Sequence, residues 1–325
     1  MICLYCGKQI DENASNSEKK EQWHKKCIHA FFGTDQMPSI DVNKQELEHL
    51  VRKTVKEKIT VPGVQKKLSL HLSDDASNPK LTIIDHPTGY ILKPQSADYI
   101  ALPEAEHFVM KLASLYGIQT VPCTMIKLHR QSGVPYAYIT KRVDRINSGK
   151  YTGLLAMEDF CQLSMRTTAD KYKSSYENVA KIIKKYSSRP AVDLSELYIR
   201  LLFCYLTGNS DMHLKNFSLI ENHPGERKYV LSPAYDLLPV NVILPEDKEE
   251  TALTLNGKKQ NIRRNDFLKY AETIGINKSA AVKMMERMLT LHDKSIQSID
   301  NSFMPENMKN DMKSLMDKRF TSLKG

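Results

Sequence analysis

Leu68, Leu70 and Leu72 alternate with Ser69 and His71, a period of two residues that predicts a half-buried strand. Two further apolar runs, "LTIID" and "YILKP", are separated by the turn signal "HPTG" and are expected to form a hairpin. A helical pattern follows in "PEAEHFVMKLASLYG", opened by Pro103 and closed by Gly117. "VPCTMIKL" and "PYAYITKRV" are strand candidates on either side of "HRQSG". To about residue 145 the pattern therefore predicts a small antiparallel sheet with one main helix.

Beyond that point the period changes. In "DLSELYIRLLFCYLTGN", Leu194, Leu197, Tyr198, Leu201, Leu202, Tyr205 and Leu206 recur at intervals that describe one face of a core helix ending at Gly208. "KYVLSPAYDLLPV" reads as a strand and turn, and amphipathic helices such as "SAAVKMMERMLTLHD" fill the C-terminal part. Earlier, "DVNKQELEHLVRKTVKEK" (41–58) reads as a short charged helix started by Asp41.

Composition narrows the function classes. The chain has 325 residues, 41% hydrophobic and 26% charged, the balance of an ordinary globular protein. No run approaches the ~18 consecutive apolar residues of a membrane helix, and "MICLYCGKQIDENASN" lacks a basic start followed by an apolar run, so no secretory signal is expected. A reducing, cytoplasmic setting is the expectation for the six cysteines. A net charge of +9 and a pI of about 9.0 suit polyanionic partners, or describe a basic solvated surface.

The densest chemistry lies in "NSDMHLKNF", directly after the core helix. Asp211 and Asn216 stand five positions apart, and Asp236 follows twenty residues after Asn216. Phosphoryl transfer needs a carboxylate to accept a hydroxyl proton, and hard oxygen ligands to hold Mg²⁺ against phosphates. The D-x-x-x-x-N spacing with a downstream Asp is that of a protein-kinase catalytic loop, although Asp and Asn are also common turn residues. Lys93 ends a predicted strand, where its ammonium could meet α/β-phosphates. The upstream turn "VPGVQKK" has a single glycine and is not G-x-G-x-x-G.

A second cluster lies at the N-terminus. Cys3 and Cys6 form C-x-x-C, and His24 and Cys27 form H-x-x-C, two pairs that could close a tetrahedral structural Zn²⁺ site. Against this, Trp23, Ile28, Phe31 and Phe32 could bury the segment without metal.

Together, "PGVQKKLSL", "YILKP", "KRVDR", "EDFCQL", "NSDMHLKNFSLI" and "SPAYDLLPV" resemble, in order, the HipA-type serine/threonine kinases of bacterial toxin–antitoxin systems. The resemblance covers roughly residues 45–300, and the length and the Cys/His segment ending "FFGT" look more like the compact HipT form. It implies an α+β, bilobal protein-kinase-like fold: a Cys/His segment over 1–33, a sheet-rich N-lobe over 34–145 and a helical C-lobe over 146–325. It implies ATP and Mg²⁺, with Asp211 as catalytic base, Asn216 and Asp236 as metal ligands and Lys93 on the α/β-phosphates. Gly63, Val64 and Gln65 would cover the phosphates, Lys141 and Val143 would lie at the hinge beside adenine, and Asp144 would reach the ribose. Relatives often carry Glu where Lys141 stands, so its contribution is expected from the backbone. His213 and Lys215 would shape the loop or touch the transferred phosphate. Autophosphorylation is implied just before the glycine turn, with Thr60 the acceptor; Pro62 occupies the position where HipT-like proteins can carry a second one.

The same resemblance implies partners: a helix-turn-helix DNA-binding antitoxin, a small HipS-like protein and an aminoacyl-tRNA synthetase as substrate, with DNA reached only through the antitoxin and no membrane. A phosphoinositide-kinase-like lipid kinase shares the D-x-H-x-x-N loop. A basic nucleic-acid-binding protein would need clustered Lys/Arg with interleaved aromatics, whereas the lysines here are dispersed. A kinase-like scaffold without activity is opposed by Lys93, Asp211, Asn216 and Asp236.

Overall fold

The computed structural model describes residues 1–41, 67–75, 77–83, 89–96, 98–128, 136–148 and 151–324. Two units are separable by their contacts: Met1–His107 with Val121–Arg142, and Phe108–Thr120 with Val143–Gly325.

In the first unit two short helices, α1 (Asn16–Glu21) and α2 (Lys25–Phe32), precede strand β1 (Ser39–Asp41). Strands β2 (Leu68–Leu72), β3 (Lys80–Thr82) and β4 (Tyr90–Pro94) lead into helix α3 (Leu102–Leu115), and β5 (Cys123–Lys127) and β6 (Tyr136–Lys141) complete one six-stranded sheet. Its order is β1-β3-β2-β4-β6-β5, antiparallel except for the parallel pair β1 and β3. The alternation in β2 is real: Leu68 and Leu70 are buried while Ser69 faces solvent. Gly117, at φ +77, lies two residues beyond the last turn of α3, as the sequence predicts.

One expectation is corrected. The runs around "HPTG" do not pair as a hairpin, because β2 lies between them: its Leu68–Leu70 pairs with Tyr90–Leu92 of β4, and its His71–Leu72 with Leu81–Thr82 of β3. β3 and β4 are both antiparallel to β2 and therefore run parallel to each other, an arrangement that a tight turn between adjacent strands cannot give; a turn signal does not decide which strand becomes the neighbour. Asp41 is the last residue of strand β1, and the charged helix expected over 41–58 otherwise lies outside the described residues.

In the second unit, β7 (Arg145–Ser148) and β8 (Tyr151–Leu154) form a hairpin, and β9 (Met157–Asp159) runs directly into helix α4 (Phe160–Leu163). Helices α5 (Tyr176–Tyr186) and α6 (Pro190–Thr207) precede strands β10 (Ser218–Glu221) and β11 (Tyr229–Leu231), which join β9 in a sheet of order β11-β10-β9. Helices α7 (Val240–Ile243), α8 (Arg264–Thr273), α9 (Lys278–Leu289), α10 (His292–Asp300) and α11 (Glu306–Lys324) follow.

Helix α6 is the centre of this unit. All seven residues of its predicted face are buried, but so are Arg200, Phe203, Cys204 and Thr207, so its C-terminal half has no solvent face. Phe203 meets Tyr116 edge-on at 5.1 Å, and Tyr205 meets Phe267 at 5.4 Å. Contacts such as the Tyr116 hydroxyl with Ser295 Oγ at 2.7 Å are why residues 108–120 belong with this unit. Each fully buried Leu or Phe contributes roughly 1.5–3 kcal/mol. At the other end, buried Asp193 accepts from Ser187 Oγ at 2.6 Å, Arg189 Nε at 3.0 Å and the backbone N–H of Leu231 at 2.8 Å, tying the helix start to β11. Among the described residues no helix is long and apolar enough to cross a membrane.

Helix α6 stops at Gly208, whose φ of +69 favours glycine. A Cβ there would meet Leu315 Cδ2 at 2.5 Å and Asn241 Cβ at 3.3 Å. Gly208→Ala is therefore expected to cost at least the left-handed penalty of about 1–2 kcal/mol, read as a lower urea midpoint at unchanged m-value.

Candidate active site and Cys/His cluster

The chain leaving α6 is polar at a position where the surroundings are not. Asn209 is 1% exposed and its Oδ1 accepts from the backbone N–H of Asp211 at 3.2 Å. Met212, Leu214 and Phe217 are fully buried and anchor the loop, with the Tyr176 hydroxyl donating to the Met212 carbonyl at 3.2 Å. The Asp211 carbonyl accepts from the backbone N–H of His213 and from Asn216 Nδ2, each at 2.8 Å. The two ends of the D-x-x-x-x-N motif are thus hydrogen-bonded to each other. Because Asn216 spends its amide nitrogen inside the loop, its oxygen is the atom suited to a hard cation.

The β10–β11 hairpin brings the residues just before Asp236 to the same end of the loop. Beyond β11 the backbone N–H of Ser232 donates to the Ser218 carbonyl at 2.9 Å, and the Tyr235 hydroxyl joins Ser218 Oγ at 2.5 Å and the Lys215 carbonyl at 3.1 Å. Asp236 itself has φ +56, a left-handed conformation that Asp tolerates better than most residues and that is common at functional sites.

Two partners of this loop were not visible in the sequence pattern. The Tyr172 hydroxyl donates to Asp211 Oδ1 at 2.6 Å, and its ring meets His213 edge-on at 5.0 Å. Burial, and then the adjacent Asp211 charge, raise the Tyr172 phenol well above its ordinary range, so it stays a donor. Lys215 Nζ is paired with Asp159 Oδ2 at 2.6 Å, while the other oxygen of Asp159 caps helix α4. The Lys215 charge is therefore committed within the protein. His213 is 5% exposed.

In the sheet unit, Lys93 of β4 is 3% exposed and its Nζ lies 2.5 Å from Glu106 Oε1 of α3, itself fully buried. The Tyr138 ring lies 5.3 Å from the same ammonium. A strand lysine paired with a helix glutamate is how protein kinases hold the lysine that meets the α/β-phosphates. Glu106 was missed in the sequence, although it follows Leu102 by four residues and precedes Val109 by three, on the apolar stripe of its helix.

Lys141 ends β6. Its backbone N–H donates to the Pro122 carbonyl at 2.9 Å, and its ammonium lies 5.3 Å over the Phe31 ring, where burial lowers its pKa. Val143 begins the long segment of the second unit, and Asp144 beside it is paired with Arg145 at 2.6 Å. Gly63, Val64, Gln65 and Thr60 lie outside the described residues.

The N-terminal cysteines and histidine do come together. The ligand atoms of Cys3, Cys6, His24 and Cys27 lie within 4.8 Å of one another. Burial would raise the Cys6 thiol, but the backbone N–H of Lys8 and bonds from the other thiols and His24 bring it down to about 7, while burial and the Cys3 and Cys6 sulfurs push Cys27 up to about 12. Three sulfurs so close cannot all ionise unless a cation joins them.

A strand–helix ion pair in a sheet-rich unit, and a D-x-x-x-x-N loop with a downstream Asp in a helical one, define an α+β protein-kinase-like fold. The particular branch is shown by a family model: residues 59–295 match the HipA-like C-terminal domain, and the chain belongs to that family. It is 25% identical over 293 residues to a Haemophilus influenzae protein named "Putative kinase", covering 83% of this chain and 82% of the relative. It is 34% identical over 210 residues to "Putative kinase Y4dM" of Sinorhizobium fredii, of which it spans only 48%. Among solved structures it resembles HipA of Shewanella oneidensis, solved with HipB and operator DNA, at TM-score 0.68 and 18% identity over 83% of this chain and 65% of that one. It also resembles the Helicobacter pylori proinflammatory kinase CtkA, at TM-score 0.52 and 16% identity over 72% of this chain and 86% of that one. These two likenesses concern the fold.

The Lys93–Glu106 pair gives a stability test. Removing one member of a buried ion pair strands the other, at a cost of about 3–5 kcal/mol, whereas replacing both with apolar residues is often neutral. Glu106→Ala is expected to fall in that range by urea unfolding, and Lys93→Met with Glu106→Leu to recover most of the loss.

Proposed function

We propose that this chain is an ATP- and Mg²⁺-dependent serine/threonine protein kinase, the toxin of a HipBST-like toxin–antitoxin system. The observation that carries the phosphoryl-transfer reading is the buried Lys93–Glu106 pair: an ion pair this dry is costly to keep, and a lysine held for phosphates accounts for it.

In this reading Asp211 accepts the proton of the substrate hydroxyl, and the Tyr172 bond to its Oδ1 orients the carboxylate for that task. Asn216, through its amide oxygen, and Asp236 would hold Mg²⁺, which supplies charge neutralisation on the phosphates when bound. Lys93, kept in place by Glu106, would meet the α/β-phosphates. Gly63, Val64 and Gln65 would cover them, Lys141 and Val143 would border adenine through their backbone, and Asp144 would reach the ribose. Lys215 acts through Asp159 to hold the loop, and His213 packs against Tyr172. Thr60 is the autophosphorylation acceptor. The HipB antitoxin in the Shewanella complex supports a DNA-binding antitoxin as partner; a small HipS-like protein and an aminoacyl-tRNA synthetase substrate follow from the family resemblance.

The test is incubation with γ-labelled ATP and Mg²⁺, followed by intact mass and peptide mapping. Label on the parent near Thr60, absent from Asp211→Gln, is the expected result. No label on either, from folded and previously unphosphorylated protein, would overturn the reading. Tyr172→Phe is expected to lower kcat about tenfold with KM for ATP unchanged, because the lost bond orients the base rather than the nucleotide.

A further inference from the structure

We propose that Cys3, Cys6, His24 and Cys27 bind one Zn²⁺ ion, and that this ion holds the N-terminal segment in its folded form on the sheet of the first unit. The inference is independent of the kinase reading.

The geometry points to a metal rather than to a disulfide or a packed set of thiols. Zinc bonds of about 2.3 Å to sulfur and about 2.0–2.1 Å to nitrogen, at a tetrahedral angle, separate sulfur from nitrogen by about 3.6 Å. His24 Nδ1 lies 3.4 Å from Cys6 Sγ and 3.7 Å from Cys27 Sγ. The other ring nitrogen is already fixed: His24 Nε2 lies 3.1 Å from the Gln9 carbonyl, which places the proton on Nε2 and turns the Nδ1 lone pair toward the sulfurs. No two of the described cysteines are joined in a disulfide. The first ligand pair sits on a tight turn, closed by the Gly7 N–H on the Cys3 carbonyl at 2.9 Å with Gly7 at φ +69. The second pair opens helix α2, with His24 as its N-cap and Cys27 in its first turn. Three soft thiolates and one imidazole form a closed set that selects Zn²⁺ and leaves no open position for catalysis.

The ion's structural task follows from what lies beside each ligand. Tyr5 stands between Cys3 and Cys6, Trp23 precedes His24, and Phe31 follows Cys27 by one helical turn. These three rings form one cluster, with Tyr5 stacked on Trp23 at 5.5 Å and Trp23 meeting Phe31 at 5.9 Å. Phe31 then reaches Tyr90 of β4 at 6.0 Å and the Lys141 ammonium of β6 at 5.3 Å. Polar contacts hold the same face: Thr124 Oγ1 donates to the Leu4 carbonyl at 2.9 Å, and Lys127 Nζ to the Lys20 carbonyl at 3.0 Å. Two helices of six and eight residues cannot sustain this arrangement by propensity. A four-ligand metal that joins the turn to the helix can.

The experiment uses the full chain purified without chelator. Elemental analysis is expected to find about one equivalent of zinc. Replacement by Co²⁺ should give the intense visible bands of a tetrahedral thiolate site, and denatured, unreduced protein should show Cys3, Cys6 and Cys27 all open to alkylation. Trp23 is the chain's one tryptophan and is fully buried, so it reports directly on the segment. Removing the metal with a strong chelator should shift its emission to the red and lower the melting midpoint by several degrees, both restored by Zn²⁺. Absence of metal after reconstitution with Zn²⁺, weak octahedral cobalt bands, or a disulfide among the three cysteines would overturn the site. Metal loss with no change in Trp23 emission would overturn its structural role. The Co²⁺ spectrum is read on the unmutated chain, so a misfolded variant cannot confuse it, and Cys161→Ser should leave zinc content unchanged.

Discussion

A helix that ends inside a protein has carbonyl groups that water cannot satisfy. Helix α6 meets that constraint at Gly208, and the residues after it are the polar loop that sequence reasoning singles out. The chain turns at φ +69, and the N–H groups of Gly208 and Asn209 return to the carbonyls of Tyr205 at 3.2 Å and Cys204 at 2.8 Å. The Gly208 carbonyl in turn accepts from the backbone of Asn241 at 2.9 Å, whose side chain donates to the carbonyls of Asp247 and Glu249. What closes the helix end therefore also holds the first residues of the loop. Asp211 is positioned by a burial problem solved with hydrogen bonds.

How much of this was legible depends on whether the signal lies within one segment or between two. The core helix, the loop motif and the second carboxylate are local patterns, and Asp211, Asn216 and Asp236 could be found by spacing. The Cys/His pairs are local as well, and the structure brings their ligand atoms within 4.8 Å. The misread hairpin is the opposite case. The turn signal was readable, but β3 and β4 run parallel on either side of β2, a pairing chosen along the sheet rather than by anything in "HPTG". The parallel pairing of β1 with β3 likewise joins residues about forty positions apart and leaves no mark on either strand.

Glu106 lies between these extremes. A carboxylate on the apolar stripe of a helix predicts that a cation must meet it, since burying a lone charge is prohibitive. The stripe was readable and the inference was available, but Glu104 stands beside it and is also largely buried, at 9% exposed. Only the register of β4 against α3 decides between them. Tyr172 and Asp159 had no such local signal. They belong to segments that precede the loop by about forty and fifty positions, and their roles arise from where α4 and the turn before α5 are packed.

The two charged positions in the sheet unit show how differently a lysine can be handled. Lys93 is taken out of water and given a carboxylate at 2.5 Å, which fixes its position. Lys141 is half-buried against an aromatic ring, with burial lowering its pKa, and its position depends on Phe31 staying where it is. Phe31 lies one turn from Cys27, so the environment of a strand-end lysine is linked through a single helix to the Cys/His cluster. A segment too small for a core of its own thus reaches the sheet by ring contacts and backbone hydrogen bonds, and whatever fixes its four ligands fixes those contacts too.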